Sequence, residues 1–141
     1  MLGHHSIGID VRHEDGGALV ASGTTTVILG PFNFFMRPTK AFALVNRGTL
    51  TLSGAIIQVN PDMQGSESGV QGSNPSAQPT VGPNANMWVN FDTTTFQTMA
   101  VGETRVLTTN ITALYPWWRV VGVNREPTTI ATSGWAFAGT L

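Results

Sequence analysis

The chain has 141 residues, the usual size of one domain with a single sizeable core, and one domain is expected. Hydrophobic residues make up 41% and charged residues only 11%, against about 25% charged in ordinary soluble chains, so part of the surface is expected to be covered by a partner. Seven Lys and Arg against eight Asp and Glu give a formal net charge of −1 with no basic run, which argues against nucleic acid as a partner. With no cysteine, disulfides and thiolate-held metals are excluded and stability rests on packing.

Met1-Leu2-Gly3-His4-His5 lacks the basic start and apolar stretch of a secretory signal, and no segment approaches the roughly 20 apolar residues of a membrane span. The expectation is a soluble protein made in a cytoplasm, with no membrane partner.

Threonine, valine and glycine recur, and no window carries apolar residues at helical spacing, so the composition is that of strands. Ile7, Ile9 and Val11 alternate with polar residues and predict a strand over 6–13, closed by turn residues Glu14-Asp15-Gly16-Gly17. A second strand is expected from Ala18 to Leu29, where Thr24-Thr25-Thr26-Val27-Ile28 is β-branched throughout, ending at Gly30-Pro31. After Phe32, Phe34, Phe35 and Met36, a loop around Pro38 precedes a strand over Ala41–Val45. Leu50, Leu52 and then Ala55–Val59 read as a further strand with a bulge at Ser53-Gly54, where the chain bends between faces. Residues 61–86 are rich in Gly, Ser, Gln, Asn and Pro and read as a long flexible loop or arm. Strand character returns at Met87-Trp88-Val89-Asn90-Phe91, at Thr104–Thr109 with Val106 as an inward candidate, at Ala113–Val123 and at Thr128–Leu141. About eight short strands without helices between them predict an all-β antiparallel sandwich, with a jelly roll as the first choice.

The sequence offers no catalytic constellation. His4, His5 and His13 lie with Asp10, Glu14 and Asp15 near the start, where an exposed N-terminal turn explains them better than a metal site does. Glu103 and Glu126 are the only carboxylates on late strands or their turns and read as solvated turn residues rather than an acid–base pair. No Gly-x-Ser-x-Gly occurs, no histidine lies on a later strand, and the glycine-rich stretch from Gly65 to Asn74 lacks the lysine and helix of a phosphate cradle. Neither an enzyme nor a cofactor is expected.

The aromatic residues suggest binding instead. Trp117 and Trp118 are adjacent, and because successive strand side chains point to opposite faces, one of them is expected to face outward. An outward tryptophan beside Arg119 matches the composition of protein interfaces, and also a stacking platform for a sugar. Phe34 and Phe35, with Trp88, complete the candidate contact residues.

With its absent cysteines, low charge, threonine-rich strands, Gly/Ser/Asn/Gln segment at 61–86 and late strand Tyr115-Pro116-Trp117-Trp118-Arg119-Val120, the chain resembles the decoration, or cement, proteins of tailed-bacteriophage heads. The resemblance implies a jelly roll or related sandwich, a homodimer or homotrimer, and a place on the capsid exterior. Its partner there would be the major capsid protein, whose neighbouring subunits it would bridge. The alternative is a carbohydrate-binding module or the receptor-binding tip of a phage tail.

Overall fold

The structure, a computed structural model, describes residues 12–34, 37, 39–63, 83–91, 98–108 and 115–139. Its strands are β1 (Arg12–Val20), β2 (Thr25–Asn33), β3 (Thr39–Asn46), β4 (Gly54–Asn60), β5 (Val89–Asn90), β6 (Thr104–Thr108), β7 (Trp117–Val123) and β8 (Ile130–Gly139). They form two four-stranded sheets, in the orders β1-β8-β3-β6 and β2-β7-β4-β5. The first strand pairs with the last, the second with the next to last, β3 with β6 and β4 with β5, all antiparallel. That nesting is a long antiparallel ribbon rolled over itself, and the β3–β8 and β4–β7 pairings join its layers into the two sheets of a jelly roll. Among the described residues no helix is long and apolar enough to cross a membrane.

The core forms where period-two strands turn their apolar sides toward each other. β8 alternates buried and more open positions along its length, placing Ile130, Thr132, Ala136 and Ala138 inward. Phe34, Phe42, Leu52, Ile57 and Trp118 fill the space between the sheets. Small residues on β8 let β3 approach closely: a Cβ on Gly134 would lie 2.6 Å from the Ala43 carbonyl oxygen.

Four local expectations need correction. The stretch Glu14–Gly17 is not a turn but the middle of β1, which pairs residue by residue with β8 from Arg12–Ala138 to Val20–Ile130. Gly16 stands opposite Gly134 there, and a Cβ on Gly17 would lie 3.3 Å from the Thr132 carbonyl oxygen of β8, so a glycine that reads locally as a turn residue sits where two strands lie close. The actual turn follows Val20: the Thr24 amide and hydroxyl donate to the Ala21 carbonyl, at 3.2 and 2.7 Å, and Gly23 has φ 73°. Residues 18–29 are thus split between two strands in different sheets.

Nor does the second strand end at Gly30-Pro31. β2 crosses it through a register shift and resumes with Phe32 opposite Trp118. Gly30 has φ 90°, and a Cβ there would lie 2.9 Å from the Trp118 carbonyl oxygen, so only glycine suits the crossing. Gly30–Pro31 is a cis peptide bond.

Val106 is outward rather than inward and is 55% exposed, because it pairs with Ala43, which lies between the core-facing Phe42 and Leu44. Finally, Ser53-Gly54 is a crossing between sheets and not a bulge within one strand. Leu52 bridges Met99, and from Gly54 onward the chain pairs with β7 in the other sheet.

The two ends of the segment over 61–86 are pinned together. Buried Asn60 donates from Nδ2 to the Asn84 carbonyl (2.8 Å), and the Asn84 amide donates to the Asp62 carboxylate (2.8 Å). Asn84 also caps the 3-10 turn Ala85–Met87 by accepting from the Asn86 amide (2.9 Å). That turn delivers Trp88 to the start of β5.

Candidate binding surface

β7 carries the residues that the sequence singles out. Trp118 points into the core, with ring centroids 5.2 Å from Phe91 and 6.0 Å from Phe42. Its indole N–H donates to the Tyr115 carbonyl (2.7 Å), which satisfies the one polar atom of the ring. Lys40 lies over the same ring, Nζ 4.7 Å from its centroid. Lys40 is on the inward side of β3 with Phe42 and Leu44, and burial pulls its pKa down to about 8.

Trp117 does take the opposite face, as strand geometry requires, yet it is only 2% exposed. The expectation that one of the two tryptophans is exposed is therefore wrong for both. The outer face of this sheet is itself buried along β7: Val121 and Val123 form a second apolar cluster with Ile56 and Val27. Arg119 is the one residue of β7 left partly open. Phe34 is likewise a core residue rather than a contact residue, stacked on Phe32 at 5.1 Å. It sits between the sheets because its amide donates to the Pro116 carbonyl (2.8 Å), which carries the chain past the end of β2 alongside β7. Phe35 lies outside the described residues.

Of the sequence candidates, the structure brings together Arg119 and Trp88. The guanidinium lies 4.2 Å from the Trp88 ring centroid, within stacking range. Its Nε–H donates to Gln58 Oε1 (2.8 Å), and Gln58 Nε2 donates to Asn90 Oδ1 (3.0 Å). The ladder explains the alignment, since Gln58 pairs with both Arg119 and Asn90. Three side chains on one face of β7, β4 and β5 form a hydrogen-bonded row, and Trp88 closes one side of the cation. Burial lowers the pKa of Arg119 from its usual value. Met87 and Val89, on either side of Trp88 in the chain, are exposed, as is Tyr115.

Gln58 and Asn90 were not legible as site residues. Alternation marks Gln58 as opposite in face to Ile57 and Val59, but its neighbours across the sheet depend on register. Lys40 carried a clearer signal, since it alternates in phase with Phe42 and Leu44.

Among the described residues no group of three His, Cys, Asp or Glu could hold a metal ion. His4, His5 and Asp10 lie outside those residues, and His13, Glu14 and Asp15 lie on β1. Glu103 closes a turn by accepting from the Ala100 amide (2.8 Å) and pairs with Arg105; these contacts hold its carboxyl below the usual range. Glu126 lies in the connection between β7 and β8, where its amide donates to Asn124 Oδ1 (2.8 Å). Both are turn residues, as the sequence suggests.

No family model matches the sequence, and no curated protein matches it either. Among solved structures the chain is similar to PirA, at a TM-score of 0.55 and 12% identity, over 86% of this chain and 90% of that one. A second similar structure comes from Bacillus endospore appendages described as disulfide-linked pili, at a TM-score of 0.39 and 11% identity, over 92% of this chain and 88% of that one. At such identities the likeness to PirA shows a shared fold, the two-sheet antiparallel sandwich.

Proposed function

We propose that this chain is a non-catalytic structural module that docks on an assembled protein surface, the exterior of a tailed-bacteriophage head. There it bridges neighbouring major capsid subunits as a homodimer or homotrimer. The observation that carries this reading is the row Arg119–Gln58–Asn90 with Trp88 stacked on the cation. It is a pre-ordered aromatic and arginine surface of the kind that supplies binding energy at protein interfaces, in a chain otherwise poor in charge. A module that binds the assembled lattice better than free subunits stabilises the lattice by linkage, and an oligomer gains further by engaging several subunits at once. On this reading the protein is made in the host cytoplasm and ends on the virion surface, with no need of a cofactor.

The test is cosedimentation of the purified protein with emptied phage heads, with light scattering for its own mass. Saturable binding at a fixed ratio to capsid subunits is expected, and absence of binding overturns the capsid reading.

One observation favours a second reading, a carbohydrate-binding module or receptor-binding tip. Trp88 sits beside a row of amide side chains, the combination of stacking face and hydrogen-bonding groups that suits a sugar ring. Trp117 and Trp118, both buried, cannot serve this role. Saccharide-dependent quenching of tryptophan fluorescence that is lost in Trp88→Ala would establish it.

A further inference from the structure

We infer that Arg119 is a docking point for a carboxylate on the partner protein, received end-on by the two Nη groups of its guanidinium. The inference deepens the proposed function and rests on it for the identity of the partner as a protein surface.

A guanidinium has five N–H donors in a planar fork and binds carboxylates in a two-pronged manner. In this site one ring face is taken by Trp88 at 4.2 Å, and the Nε–H is taken by Gln58 at 2.8 Å. Gln58 is in turn held by Asn90, so β7, β4 and β5 together fix the plane and direction of the fork. The donors left are those on Nη1 and Nη2, and among the described residues they meet no acceptor. The ion pair found among those residues is Arg105 with Glu103, at another place in the fold. Arg119 is thus a half-buried cation, oriented in advance and, among the described residues, without a counter-charge.

Partial burial strips water from the cation, and Trp88 and Gln58 replace only part of it, which leaves a gain for an incoming anion at the Nη groups. Pre-orientation removes the ordering cost that a flexible arginine pays on binding. The charge match selects a carboxylate over a phosphate. A phosphate monoester carries nearly two charges at neutral pH, and no second cation among the described residues is stacked on or hydrogen-bonded to this cluster.

Two measurements test the inference. In the first, acetate is titrated at constant ionic strength while the Arg119 Nε–H and Trp88 indole N–H resonances are followed by NMR. Saturable shifts in the millimolar range are expected, with chloride giving none and Arg119→Gln losing them. In the second, capsid cosedimentation is compared for the wild type, Arg119→Gln and Arg119→Lys, with thermal melting as a check on folding. Affinity is expected to fall roughly 10- to 100-fold in Arg119→Gln, and Arg119→Lys is not expected to restore it because an ammonium cannot offer the fork. Wild-type affinity in folded Arg119→Gln overturns the inference and leaves the capsid reading standing. If the wild type itself does not bind heads, the capsid reading fails, and the acetate titration still decides the inference: no saturable shift overturns it.

Discussion

Two cation–aromatic pairs sit back to back on β7. On the inner side Trp118 supplies the ring and Lys40 of β3 the cation, at 4.7 Å. On the outer side Arg119 supplies the cation and Trp88 the ring, at 4.2 Å. The chemistry is the same and the surroundings differ. Lys40 and Trp118 are almost fully buried, so their contact belongs to the packing between sheets. Arg119 and Trp88 are half-open to solvent and rest on a row of amides, so their contact prepares a surface. Burial, and not residue type, assigns one pair to stability and the other to recognition.

The comparison breaks most sharply at the two rings. Trp118→Ala removes the largest side chain between the sheets and is expected to cost about 3–5 kcal/mol, whereas Trp88→Ala should cost under about 1 kcal/mol. Urea unfolding of both variants measures the contrast, and equal losses would erase it.

A buried polar residue sharpens the point that burial rather than polarity sets the cost. Asn124 is fully buried and donates from Nδ2 to the carbonyls of Val20 (2.8 Å) and Thr128 (2.7 Å), tying the end of β1 to the β7–β8 connection. Asn124→Ala leaves these groups without their partner and is expected to cost roughly 1–3 kcal/mol by the same unfolding measurement.

Lys40 makes the inner pair sensitive to pH. Its folded pKa is lowered to about 8 from an ordinary value of 10.5. Between those values the unfolded chain holds a proton that the folded chain has released, so stability rises with pH across that window and gains nothing from this group below it. The melting temperature of the wild type is expected to climb from pH 8 to pH 10 relative to Lys40→Met, by the equivalent of about 2 kcal/mol. Parallel curves for the two proteins would place Lys40 in an environment no different from solvent.

The smallest effect on stability is expected at Arg119→Gln, under about 1 kcal/mol, while the binding assays register the substitution strongly. A large loss of stability with unchanged binding would reverse the roles of the two pairs.

Much of the fold was legible because strand formation is local. The closing segment Thr128–Leu141 reads as a strand and forms β8, and the Thr- and Val-rich run before Gly30 reads as β2. The Glu14–Gly17 stretch misled because glycines that end a strand and glycines inside a closely paired strand look alike until the partner strand, here β8, is known. At the candidate site, Arg119 and Trp88 were picked out by type, but their union was not legible. It depends on β4 standing between β7 and β5 with Gln58 in register with both.

The sequence by itself determined that the chain is made of strands, that about eight of them pack as a sandwich, and that packing rather than disulfides or thiolate-held metal stabilises it. These follow from composition and from a period of two, which each segment carries within itself. The tertiary structure decided which tryptophans are buried, why a lysine lies in the core and which side chains surround Arg119. Such properties are set by residues dozens of positions apart, Arg119 and Gln58 among them, because exposure and contact depend on which strand lies alongside and on what covers each face of the sheet.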